Sequence, residues 1–115
     1  MNIISWDTND FGAFRFQTLH ETPNTKEIQV VLPRDSATKE NIASVGISMQ
    51  VLSGRIWLKS KQKTITLDTR EMVTIDAKTP YSLGAYENSV LRLSLSKTKN
   101  ASLFERVLKI TRCKN

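Results

Sequence analysis

His20 is the only histidine of the chain and Cys113 its only cysteine, so few residues could carry chemistry. An imidazole titrates near neutrality and can act as a general base. His20 precedes Glu21-Thr22-Pro23, a context that suits a surface histidine as well as a catalytic one. Cys113 lies between Arg112 and Lys114, whose charges favour a thiolate, but it has no partner base nearby in sequence and reads as an exposed free thiol. One histidine and one cysteine exclude an intrachain disulfide, a cysteine-built zinc site and any site with two imidazoles from one chain. Gln50 interrupts an apolar stretch, and Arg92 stands between Leu91 and Leu93. If these leucines face outward, Gln50 and Arg92 face an interior cavity. There a guanidinium would hold a carboxylate or phosphate ligand. If the leucines fill the core, Arg92 is solvated; periodicity leaves both arrangements open. Trp6 and Trp57 offer ring faces to a base or sugar, and Trp57 equally suits covering a sheet face or a dimer interface. Phosphate-binding loops, dinucleotide fingerprints, nucleophile elbows and zinc-helix motifs are absent.

These residues have to be positioned by strands. Period-2 alternation runs through Lys26–Leu32, Val45–Leu52, Ile56–Lys59, Lys63–Leu67, Met72–Asp76 and Ser89–Ser96. Ser53-Gly54 reads as a tight turn, Lys61-Gln62-Lys63 as a hairpin tip and Asp68-Thr69-Arg70-Glu71 as another turn. Lys78-Thr79-Pro80 is expected to break the pattern, because proline cannot donate to a ladder. Ala13–His20 also fits a strand, with Phe14, Phe16 and Thr18 on one side. Strands at such short, regular spacing indicate an all-β sandwich or barrel. The period changes near the end. Ser102 and Glu105 have capping-box spacing, and Leu103, Phe104, Val107 and Leu108 form an apolar stripe. A short amphipathic helix is expected over 100–112.

With 115 residues and 13.0 kDa, the chain is expected to be one domain, 1–115, able to fold without staples. No uncharged run approaches the ~18 apolar residues of a membrane span. The start lacks the basic region of a signal peptide, the pattern expected of a cytoplasmic protein. The net charge of +6 is uneven: residues 1–54 carry −2, residues 55–96 carry +3, and residues 97–115 carry +5. The basic C-terminal segment suits a solvated helix face, and it also fits a polyanion such as nucleic acid, anionic lipid or acidic saccharide.

Three stretches carry a resemblance. They are Val51-Leu52-Ser53-Gly54-Arg55, then Arg70-Glu71-Met72-Val73-Thr74-Ile75-Asp76-Ala77-Lys78-Thr79-Pro80-Tyr81-Ser82-Leu83, then Ala85-Tyr86-Glu87-Asn88-Ser89-Val90-Leu91-Arg92-Leu93-Ser94-Leu95. Over residues 26–96 the chain resembles the small single-domain bacterial cupins of the conserved-barrel, RmlC-like type. The resemblance implies a double-stranded β-helix, or jelly-roll barrel, with one open mouth, often as a homodimer. Metal-holding cupins use a His-x-His pair, a downstream Glu and the His of a Pro-His pair. The matching positions here are Asn41 and Ala43, the neighbourhood of Gly46 and Ile47, and Tyr81. None is a usual transition-metal ligand, so no metal and no cofactor are expected.

The fold expected is therefore all-β, a cupin barrel with a short C-terminal α-helix. The leading functional expectation is a metal-free, non-catalytic cupin that binds a small molecule as a homodimer, with Asn41, Gln50, Tyr81 and Arg92 as candidate ligand contacts. The first alternative is a metal-independent isomerase, epimerase or lyase using Tyr81 and His20, by analogy with cupin-like sugar epimerases. The second is a polyanion-binding protein acting through the basic C-terminal segment.

Overall fold

A computed structural model describes residues 1, 3–6 and 9–97. The described residues form nine strands: β1 (Arg15–Glu21), β2 (Thr25–Leu32), β3 (Asn41–Ile42), β4 (Ile47–Ser53), β5 (Arg55–Ser60), β6 (Lys63–Asp68), β7 (Met72–Ile75), β8 (Pro80–Ala85) and β9 (Ser89–Ser96). Every pairing is antiparallel. A five-stranded sheet has the order β1-β2-β9-β4-β7, and a four-stranded sheet has the order β3-β8-β5-β6. Inward side chains of both sheets share one core, including Val30, Met49, Val51 and Leu91 from the first and Ile56, Leu58 and Leu83 from the second. Taken without β1, the strands form a two-sheet jelly roll of antiparallel Greek keys, and β1 extends the first sheet by one edge strand. This is the all-β, double-stranded β-helix arrangement of the cupins. The expected helix over 100–112, Cys113 and all of the basic tail except Lys97, which pairs with Glu21, lie outside the described residues. Among the described residues no helix is long and apolar enough to cross a membrane.

The register decides which face of each strand is inside. Leu91 lies between Val30 and Val51, and Leu93 lies between Ile28 and Met49. All of these belong to the core or pack against it. Arg92 therefore points the other way, in a row with Gln29 and Gln50 on the outer side of the five-stranded sheet.

Two strands were not legible as such. β3 is only two residues long, and β8 begins at Pro80, which the alternation marks as a break. Proline is tolerated there as the first residue of a strand, where its missing N–H costs no ladder bond. Gly84 in β8 makes room for the ring of Trp57 on β5: a β-carbon at residue 84 would lie 2.4 Å from two indole atoms. The Trp57 ring thus lies across the outer side of the four-stranded sheet. This is the sheet-covering role open to Trp57 from the sequence.

Candidate functional site

β3 and β8 bring two of the expected contact residues together, since Asn41 and Tyr81 are direct cross-strand partners. The loop before β3 is held along β8. Thr38 N–H donates to the Leu83 carbonyl (2.8 Å), and Leu83 N–H donates to Thr38 Oγ1 (3.1 Å). Arg34 N–H donates to Asn88 Oδ1 (2.8 Å), which pins the start of the same loop. At the other side of the seam, Arg15 pairs with Asp10 (2.9 Å), and Gly12 N–H donates to the same carboxylate (3.1 Å). That turn delivers Phe14 and Phe16, whose rings meet edge to face at 5.0 Å and 72°. Phe16 is opposite Val30, which places it on the inner side of β1.

The result is a cavity of about 400 Å³ at the seam between the two sheets, on the β1–β3 side. Phe14, Phe16, Leu83 and Leu93 supply its apolar surface, Thr38, Asn41 and Tyr81 supply neutral polar groups, and Lys39 and Glu40 add one charge of each sign. Tyr81 is 8% exposed, and that burial raises its phenol pKa above the usual value. A hydrogen bond with the Asn41 side chain opposes the rise. The phenol is therefore neutral at physiological pH and can both donate and accept. Phe14 and Phe16 are 39% and 55% exposed, so apolar rings stand open at the entrance.

Gln50 and Arg92 meet each other elsewhere. They line a shallow depression of about 320 Å³ on the outer side of the five-stranded sheet, with Glu27, Ser48, Met72 and Ser94. Arg92 is already engaged: its Nη2 pairs with Glu27 Oε1 at 2.7 Å, and Ser94 Oγ also donates to Glu27. The four candidate contacts thus fall into two pairs on different surfaces, and Arg92 does not enter the barrel. His20 is opposite Glu27 and acts on its charge. The cavity that Tyr81 lines is built without His20, so the acid–base pair of the enzyme alternative is not assembled.

At the positions of the family's metal ligands the chain carries Asn41, an exposed amide, with Ala43, Ile47 and Tyr81. Ala43 and Ile47 are 2% and 6% exposed and belong to the apolar core, and Tyr81 packs with them. A methyl, a butyl chain and a neutral phenol do not fit a transition metal. Among the described residues no three of His, Cys, Asp and Glu come together.

Phe14, Phe16, Thr38, Glu40 and Leu93 belong to this cavity and were not singled out by sequence reasoning. The available signal was an aromatic pair two residues apart, Phe14 just before β1 and Phe16 within it.

No protein-family model matches the chain, and no curated protein does. Solved structures match its fold closely. A cupin superfamily protein from Desulfitobacterium hafniense superposes with a TM-score of 0.71 at 8% identity, over 77% of this chain and 82% of that one. An RmlC-like cupin with a double-stranded β-helix fold from Methanocaldococcus jannaschii gives 0.70 at 13% identity, over 91% and 96%. A conserved protein of unknown function from Streptococcus pyogenes gives 0.69 at 15% identity, over 85% and 99%. The chain has the cupin fold, as the sequence resemblance implied.

Proposed function

We propose that this cupin is a metal-independent, non-catalytic binding protein for a small, largely neutral molecule with a flat apolar body and one polar end. The observation that carries this reading is the seam cavity, in which the Asn41–Tyr81 pair stands beside the exposed Phe14 and Phe16 rings. Such a lining of mostly apolar surface with a few convergent polar groups suits a ligand site. The rings supply contact area at low entropy cost, and the amide and phenol fix orientation through donor and acceptor atoms. The reading includes a homodimer, since apolar side chains lie exposed on the edge strands that flank the cavity.

The test is a nuclear magnetic resonance titration with benzamide as the probe, following the aromatic signals of Phe14, Phe16 and Tyr81. Those signals are expected to shift in a saturable way. Asn41→Ala and Tyr81→Phe are each expected to weaken the complex about fivefold, the loss of one hydrogen bond of ~1 kcal/mol. Shifts confined to other surfaces, or affinities untouched by both substitutions, would exclude the site.

A further inference from the structure

A second cavity, also of about 400 Å³, opens at the opposite seam between β6 and β7, and it shares no lining residue with the first. Its floor is apolar. Leu58 and Ile75 are buried core residues, and Ile65 and Val73 are half-buried and packed against that core. Its rim carries Lys61 and Lys63, both from the hairpin that joins β5 to β6. Among the described residues neither ammonium stands in an ion pair. Asp76 on the facing rim is the cavity's one carboxylate, and it already has a partner of its own. Lys61 has a φ of 58°, at the first position of a two-residue hairpin turn, where glycine is the favoured residue. A lysine is thus held in an unfavourable backbone region beside an open apolar floor.

We infer that this β6–β7 seam binds an amphipathic anion, an apolar chain or ring bearing one carboxylate or phosphate. A purely inorganic anion would leave the floor of Leu58, Ile65, Val73 and Ile75 wet. A neutral hydrocarbon would leave two cations unused. An amphipathic anion buries its apolar part against the floor and keeps its head between the lysines, which act as flexible point charges. The site lies apart from the Asn41–Tyr81 cavity and does not depend on it.

The test is a ¹H–¹⁵N titration of the full chain with decanoate and octyl phosphate below micellar concentrations, with decanol and inorganic phosphate as controls. Amides of residues 58–65 and 73–79 are expected to shift, and those of Phe14, Phe16 and Tyr81 to stay. Binding of either anion at this seam supports the proposal, and the tighter of the two identifies the head group. The exposed double substitution Lys61→Gln/Lys63→Gln is expected to raise the dissociation constant of the anions at least about fivefold at low salt, while leaving that of decanol unchanged. Equal anion binding by the double variant overturns the inference. So does inorganic phosphate binding as tightly as octyl phosphate, or shifts that map to the Asn41–Tyr81 cavity. The benzamide titration reads the other seam, so the two proposals fail separately.

Discussion

A β-carbon at residue 54 would lie 2.2 Å from Ser89 Oγ and 2.5 Å from the Asn88 carbonyl oxygen, and the backbone there has a φ of 94°. Ser89 cannot move aside, because its hydroxyl accepts from Arg55 N–H (3.1 Å) and donates to the Glu87 carbonyl (2.8 Å). Gly54→Ala is expected to cost about 3 kcal/mol, from strain and displaced hydrogen bonds together, measurable as a lowered urea midpoint. Glu27 gives a second test at this scale. Burial raises its pKa, but hydrogen bonds from Arg92 and Ser94 outweigh burial and leave it below the usual 4.5. A carboxylate with a depressed folded pKa stabilises the fold above its unfolded pKa and loses that contribution as pH falls through the folded value. Glu27→Gln is therefore expected to lower stability by about 1 kcal/mol at pH 7 and to converge on the parent protein below pH 4.5. A constant difference across that range in urea unfolding would remove the role assigned to the pair.

The strand β9 shows how far alternation reaches and where it stops. Leu91, Leu93 and Leu95 were legible as one face, yet alternation has no sign, and only the opposing sheet decides which face is dry. Leu91 is fully buried between Val30 and Val51, whereas Arg92 is exposed and paired with Glu27. Leu91→Ala is expected to cost about 3 kcal/mol and Arg92→Ala about 1 kcal/mol or less, a contrast that chemical denaturation of the two variants measures. The same limit explains the candidate site. Asn41 and Tyr81 could be placed by resemblance, because the family's pattern marks their positions. Phe14 and Phe16 could not, because their meaning depends on Leu83 and Leu93, far along the chain and on both sheets. β8 was hidden for a related reason. Its outward Gly84 weakens the strand signal, and the group that replaces the missing side chain is Trp57 on the neighbouring strand.

At the scale of the whole molecule, the jelly roll leaves four edge strands, β1 and β7 on one sheet and β3 and β6 on the other. Three of them carry large apolar side chains open to water: Phe16 on β1 is 55% exposed, Ile42 on β3 is 62% exposed and Met72 on β7 is 58% exposed. Edges of this kind favour association unless they are covered. Phe16 and Ile42 belong to the two edges that border the Asn41–Tyr81 cavity, so a second copy seated on the β1–β3 seam would hide both and wall in that cavity. Sedimentation velocity at low micromolar concentration is expected to give a particle of twice 13.0 kDa. Ile42→Glu puts a charge at an exposed position and should leave the monomer folded. In the dimer that charge would lose its water without gaining a partner, so the substitution is expected to raise the dimer dissociation constant at least about tenfold. A parent protein that sediments as a single 13.0 kDa species would end the dimer reading. A dimer indifferent to Ile42→Glu would move the interface away from this seam and leave the cavity open on that side.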